Sequence, residues 1–224
     1  MKKKNIFLTG SEGRIGSFVK KKLLKKYNII SADILLDTNF TSEYLDEIFK
    51  KDIYAVIFCH GKNTTPLNKN KNKNNDFDLE VIQSFFETNL YLNLKIISYY
   101  LKKNKYGRAI NLSSIYGVKS PKHFIYKNFS KEIGYSLSKS SSNMMMRFLG
   151  TKFSKNFLFN SIVLGGVKQK KLSTFFLKNY NKNTPTGRMM ELNEILPAIN
   201  YLLDENNTYT NAQEIVVDGG WLSW

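Results

Sequence analysis

NIFLTGSEGRIGSFVKKKLL, residues 5–24, decides how the rest of the chain is read. Asn5–Leu8 is a short apolar run that ends in a glycine turn, the pattern of a buried strand. Beyond the turn, Ile15, Phe18, Val19 and Leu23 recur at helical spacing, with lysines on the opposite face. Between the two lies Thr9-Gly10-Ser11-Glu12-Gly13-Arg14-Ile15-Gly16. Gly10 permits a tight turn, Gly13 lets the backbone approach a pyrophosphate, and Gly16 lets the helix pack close to the strand. The helix N-terminus adds N–H donors and a positive dipole end for phosphate. Strand, glycine loop and amphipathic helix in this order point to a dinucleotide-binding βα unit.

The rhythm continues outward. Asn28–Ala32 reads as a second strand closed by Asp33, and residues 42–50 as a short helix. Tyr54–Phe58 is a strand ending at Cys59-His60-Gly61. Leu79–Leu101 is the longest helical stretch, Arg108–Leu112 a strand, and Gly134–Phe153 a second long helix. Phe159–Leu164 and Ile215–Val217 read as strands, Lys168–Tyr180 as an amphipathic helix, and Asn193–Leu203 as a helix with Asn193 at its N-cap. Strands alternating with helices predict a three-layer, doubly wound α/β fold with a mainly parallel sheet, in one domain over residues 1–224. One spacing is anomalous. Only Ile34–Leu36 separate Asp33 from Asp37, too few for a crossover helix, so either a strand is vestigial or the connection has lost its helix. The polar stretch 62–78, Asn/Lys-rich at 68–75, reads as a surface loop at the mouth of the site.

Composition narrows the function classes. The net charge is +16, but the basic residues are dispersed lysines, with arginine only at 14, 108, 147 and 188. Arginine is the usual reader of phosphates and bases. The charge therefore reads as the surface of a Lys/Asn-biased sequence, with no nucleic-acid partner. It would still welcome an anionic substrate. No apolar run approaches the roughly 18 residues of a membrane span, and the lysine-led start is too short for a signal-peptide core. The expectation is a cytoplasmic protein without a membrane partner. One cysteine (Cys59) and two histidines (His60 and His123) make a zinc site improbable, and no metal is expected.

Tyr135-Ser-Leu-Ser-Lys139 opens the second long helix and places a phenol and an ammonium on one face. A free phenol, with a pKa of about 10, is a poor base near neutrality, and a nearby cation favours the phenolate. Ser114 ends a strand 21 residues earlier, Asn89 lies within the preceding long helix, and the tail reads Val217-Asp-Gly-Gly-Trp221. Glycine loop, Asn–Ser–Tyr–Lys set and Asp-Gly-Gly tail together resemble the short-chain dehydrogenase/reductase family over essentially the whole chain.

That resemblance implies a Rossmann-fold oxidoreductase. Tyr135 is then the general acid/base, Lys139 lowers its pKa and binds the nicotinamide ribose, Ser114 bonds the substrate oxygen, and Asn89 holds a water in a proton relay. Ser113 is the weaker candidate, because Ile115-Tyr116-Gly117 follows Ser114 in the family manner. The implied cofactor contacts are Gly10, Ser11, Glu12, Gly13, Arg14, Ile15, Gly16, Asp33, Asp37, Thr38, Cys59, His60, Gly61, Lys139, Gly165 and Val167. Asp33 would bond the adenosine ribose and repel a 2′-phosphate, which favours NAD. NADP stays open, because Arg14 can hold such a phosphate. Family members form homodimers or homotetramers.

The chain also departs from the family pattern. Phe58-Cys59-His60-Gly61 replaces Asn-Asn-Ala-Gly, which leaves the hydrogen bonds that steady this strand in doubt. Leu164-Gly165 replaces Pro-Gly. The segment between Ser114 and Tyr135 is long, carries Tyr116, Lys119, His123 and Tyr126, and reads as substrate-facing. With IYGVKSP at 115–121, it resembles the branch of flagellin modification and surface-sugar biosynthesis, which implies a sugar or nucleotide-sugar substrate. Two alternatives stand beside this: a 3-oxoacyl-thioester reductase, and a non-catalytic dinucleotide-binding sensor or scaffold.

Overall fold

The computed structural model describes residues 3–63, 77–127 and 131–224. Among these, β1 (Asn5–Thr9), β2 (Asn28–Ala32), β3 (Ile53–Phe58), β4 (Gly107–Ser114), β5 (Phe157–Leu164) and β6 (Glu214–Val217) form one sheet. Its order is β2-β1-β3-β4-β5-β6, and every pairing is parallel. The helices are α1 (Arg14–Leu23), α2 (Ser42–Phe49), α3 (Leu79–Phe86), α4 (Leu92–Lys103), α5 (Ile133–Lys152), α6 (Thr174–Lys182) and α7 (Leu196–Leu203).

The strands read as continuous apolar runs because both faces of the sheet are covered. Along β1, period-2 alternation sends Phe7 to one face and Ile6 and Leu8 to the other. Phe7 packs on Phe49 of α2 and shares its cluster with Leu45 of α2, Ile96 and Tyr100 of α4, and Met146 of α5. Ile6 and Leu8 share theirs with Val19 and Leu23 of α1 and Ile199 and Leu202 of α7. From β1 the chain goes to β2 on one side, then crosses to β3 on the other. That reversal leaves a crevice at the carboxyl ends of β1 and β3, where ligands of such sheets bind. Both glycine-containing loops of interest, 10–16 and 59–61, emerge there.

The anomalous spacing is settled in favour of a lost strand. Ile34–Leu36 form a single 3-10 turn N-capped by Asp33, and no strand follows before α2. The crossover to β3 therefore runs through α2, which Thr41 N-caps. Two further readings need correction. The helix expected from Lys168 begins at Thr174, behind the N-cap Ser173. Asn193 is not an N-cap. Glu191 takes that place through a capping box with Glu194, ahead of a 3-10 turn and α7. Stretch 68–75 lies outside the described residues. No helix among the described residues is long and apolar enough to cross a membrane.

The long helical stretch at 79–103 is not uniform. A π-turn at Glu87–Tyr91 joins α3 to α4 and contains Asn89. One residue too many per turn rotates the side chains that follow, a device common at functional sites. Here Asn89 is buried against the start of α5.

Candidate active site

The glycine loop is shaped by contacts that only glycine allows. Gly10 has φ +66°, and a Cβ there would overlap the His60 backbone. A Cβ on Gly16 would overlap the Gly10 carbonyl oxygen, so α1 rides directly on the turn. At Gly13 a Cβ would meet only the Gly10 oxygen at 3.3 Å, and its outer side is open to a ligand. Gly13 N-caps α1 without a side-chain hydrogen bond, which leaves the first-turn N–H groups for an anion.

Asp33 ties this loop to the end of β2. Its carboxylate accepts from the Glu12 N–H at 2.9 Å and from the Leu35 N–H at 3.0 Å. Thr38 closes the turn on Asp33, while Asp37 is exposed in the left-handed region. Glu12 is held by Lys20 at 2.7 Å and by Ser11 at 3.0 Å. The exposed Arg14 guanidinium reaches towards the Val167 carbonyl at 3.5 Å, with Glu191 as its charged neighbour. Gly165 and Val167 form the wall on that side, bonded to Val217 and bridged to Met190.

The altered segment after β3 keeps its support by another route. His60 Nδ1 lies 2.6 Å from the Thr9 hydroxyl, and Nε2 lies 3.0 Å from the Thr88 carbonyl. A carbonyl only accepts, so Nε2 carries the proton and Nδ1 accepts from Thr9. The ring thus bridges β1, β3 and the π-turn. Burial first, and Lys139 second, lower its pKa from 6.5 to about 4. A folded pKa below the unfolded one favours the neutral ring. Its contribution is complete above pH 6.5 and is lost as pH falls through about 4. At up to about 3 kcal/mol, the effect is measurable by denaturant unfolding. His60→Asn should flatten the fall of stability between pH 6.5 and 4, and an unchanged slope would place the acid sensitivity elsewhere. Neighbouring Cys59 is no nucleophile here, since burial pushes its thiol up to about 12.

At the ends of β4 and α5 the expected four residues come together, all buried. The Ser114 hydroxyl faces the Tyr135 phenol, whose pKa it lowers, and accepts from the Tyr116 N–H at 3.2 Å. Ser113 turns its hydroxyl into the interior, where it has no partner among the described residues. Lys139 donates to the Leu112 carbonyl at 2.9 Å. A Cβ built on Gly61 would sit 3.3 Å from both Lys139 Nζ and Asn89 Oδ1, so these two flank the glycine. Gly117 lets the turn after Ser114 press onto the Lys139 backbone.

Burial raises Tyr135 above an ordinary phenol, and Ser114 opposes that rise. Lys139 is itself lowered to about 8 by burial. The Asn89 side-chain amide accepts from the Lys62 N–H at 2.8 Å and donates to the Lys62 carbonyl and to Ser138, while the Asn89 backbone carbonyl accepts from Asn93. The result is a hydroxyl pair, an ammonium and an amide at the crevice mouth. Such a set can hold a carbonyl or alcohol oxygen and exchange a proton with it.

The family model described as enoyl-(acyl carrier protein) reductase matches residues 47–222. The chain belongs to the short-chain dehydrogenase/reductase family. It is 28% identical to the post-translational flagellin modification protein A of Campylobacter coli, over 99% of both chains. It is 25% identical to the 3-oxoacyl-acyl-carrier-protein reductase of Rickettsia bellii, over 96% of this chain and 95% of that one. A short chain dehydrogenase from Leptospira borgpetersenii, solved with bound NAD+, superposes with a TM-score of 0.85 over 99% of this chain and 93% of that one, at 23% identity.

Within this dehydrogenase/reductase framework, the segment between Ser114 and Tyr135 builds a wall of its own. The Tyr116 and Tyr126 hydroxyls are hydrogen-bonded at 2.8 Å, and Tyr126 stacks on Phe176. Tyr180 stacks on Trp221 at 4.4 Å and accepts from the Gly166 N–H at 2.5 Å. A groove of about 760 Å³ opens along this wall, lined by Tyr116, Lys119, His123, Lys131 and Ser136 among others. Sequence reading anticipated Tyr116, Lys119, His123 and Tyr126. It missed Lys131, whose ammonium stands 5.0 Å from the Tyr135 ring centroid. Neither helical periodicity nor a motif marks that residue.

Proposed function

We propose that this enzyme moves a hydride between nicotinamide and a carbonyl or alcohol carbon, with NAD preferred over NADP. Its substrate is a sugar or nucleotide sugar in surface-glycan or flagellin-glycan biosynthesis. The observation that carries this reading is the buried Ser114–Tyr135–Lys139 group beside a glycine loop whose exposed Gly13 leaves the backbone open to a ligand. Loop 10–16 and the α1 N-terminus hold the pyrophosphate. Asp33 accepts from the adenosine ribose, and Lys139 from its buried position donates to the nicotinamide ribose. The bound nicotinamide supplies or takes the hydride. Ser114 donates to the substrate oxygen, and Tyr135 gives that oxygen its proton, or removes it in the reverse direction. Burial keeps Tyr135 protonated, the form from which a carbonyl is reduced. Asn89 acts as a positioning residue.

Asp33→Ala tests the cofactor reading. It removes a charged acceptor for the ribose diol, a loss of about 1.5–3 kcal/mol, or roughly ten- to a hundredfold in affinity. NADH binding should weaken by that factor and NADPH binding much less. The opposite ranking would show that Asp33 is misassigned.

The flagellin-modification relative, matched end to end, supports the sugar substrate. The acyl-carrier-protein reductase relative supports a second reading, reduction of a 3-oxoacyl thioester. A screen of UDP-, GDP- and CMP-sugars against acetoacetyl-CoA separates the two by which one consumes NADH. Exposed Tyr91 and Leu94 near one another in sequence, and Leu137, Met144 and Phe148 on α5, suit a homodimer or homotetramer. Light scattering on the purified protein checks that assembly.

A further inference from the structure

Two carboxylates meet where the glycine loop touches the end of β2. Asp33 gives one oxygen to the Glu12 N–H at 2.9 Å and the other to the Leu35 N–H at 3.0 Å. The first of these donors belongs to a residue that is itself acidic. The part-buried Glu12 side chain makes an ion pair with Lys20 at 2.7 Å and accepts from the Ser11 hydroxyl at 3.0 Å. Lys20 first, and Ser11 second, hold the Glu12 carboxyl below the usual range, and Asp33 opposes them. The two carboxylates therefore feel one another across the loop.

Helix geometry brings Lys20 there. It lies seven residues beyond the N-cap Gly13. That is about 10 Å along the helix. Helical side chains lean towards the N-terminus, so a long lysine stem can return its ammonium to the loop that precedes its own helix. Lys22 instead covers the Phe18 ring one turn back, 5.5 Å from the centroid.

A phosphate on a ribose beside Asp33 would bring close to two negative charges and would need donors. The two main-chain N–H groups at that point already serve Asp33, and the ammonium drawn to the loop is already engaged by Glu12. Removing Asp33 would free the N–H groups and leave Lys20 engaged. Leaving a charge without a partner is one of the two ways a site rejects the wrong ligand.

We propose that Glu12 is a second specificity-determining residue for the cofactor, acting through Lys20: by holding that ammonium it denies a 2′-phosphate its counter-ion and reinforces the NAD preference set at Asp33. This rests on the reading of loop 10–16 and Asp33 as the adenosine end of the cofactor site, and adds a second residue to its selectivity. The sign of each substitution follows. With both partners present the pair is neutral. Without Glu12 a free ammonium is left on the loop beside Asp33, and without Lys20 a free carboxylate.

The test is a titration of NADH and of NADPH into wild-type protein, Glu12→Gln, Lys20→Gln and the double variant, read as the ratio of the two dissociation constants. Glu12→Gln should shift that ratio about tenfold towards NADPH, and Lys20→Gln about as far towards NADH. The double variant should return close to the wild-type ratio, because the pair is again neutral. A part-exposed ion pair contributes little to stability, so all three variants should keep the wild-type melting temperature to within a few degrees. A pair that only braces the loop would weaken both nucleotides alike and leave the ratio in place. If wild-type protein binds NADH and the ratio stays fixed, or moves the same way in both single variants, the role of Glu12 is overturned and the cofactor reading stands. If wild-type protein binds neither nucleotide, that reading fails first and the inference falls with it.

Discussion

Replacing Tyr135 with phenylalanine should cut turnover by about 10³-fold or more while leaving NADH affinity near the wild-type value. The substitution deletes one oxygen and keeps the ring. Its edge-to-face contact with Phe85 survives. The Ser114 hydroxyl, which loses the phenol, still accepts from the Tyr116 N–H. Stability should therefore change by only about 1 kcal/mol. What disappears is the group that passes a proton to or from the substrate oxygen. The measurement is kcat at saturating cofactor, with NADH affinity from nicotinamide fluorescence on the same preparation. An unchanged kcat would move proton transfer to another hydroxyl, such as that of Ser114.

Gly16→Ala should be the most damaging single-methyl addition in the cofactor half. The new Cβ would overlap the Gly10 carbonyl oxygen, 2.8 Å from its carbon and 3.2 Å from the Ser11 Cα. All three are main-chain atoms and cannot swing aside. The remaining way out is to push α1 from the sheet, against the burial of Val19 and Leu23. Overpacking of this kind costs about 1–3 kcal/mol or more, and a misplacement of about 1 Å can cost about a hundredfold in rate. Both the melting temperature and NADH affinity should fall. Gly13→Ala is the informative control, because its Cβ meets only one oxygen, at 3.3 Å. There the melting temperature should hold while NADH binding weakens, since the methyl occupies the pyrophosphate approach. If Gly13→Ala binds NADH normally, the ligand does not lie on this loop.

The first βα unit was legible because its information is local: apolar run, glycine spacing and helical stripe all lie within residues 5–24. Tyr135, Lys139 and Ser114 were legible for a different reason, as a familiar order of residues along the chain. What remained hidden depends on contacts between distant segments. The Asp33–Asp37 spacing showed that something was missing, but only the 3-10 turn shows that it was a strand. The π-turn around Asn89 leaves no periodic trace, so the clamp on Lys62 was out of reach. His60 departs from the family pattern in sequence and replaces it in space, because Thr9 and Thr88 happen to lie on either side of the ring. Glu191 was overlooked as an N-cap because glutamate seldom serves there, and its partner Glu194 supplies the return hydrogen bond.

The most direct test of the enzyme assignment is a titration of NADH and of NADPH into the purified protein, followed by nicotinamide fluorescence and by melting temperature. The account predicts saturable binding of both observables with NADH tighter, through loop 10–16 and Asp33. Failure of both nucleotides to bind would contradict it, because the glycine contacts, the Asp33 tie and the Ser114–Tyr135–Lys139 group would then have no common purpose.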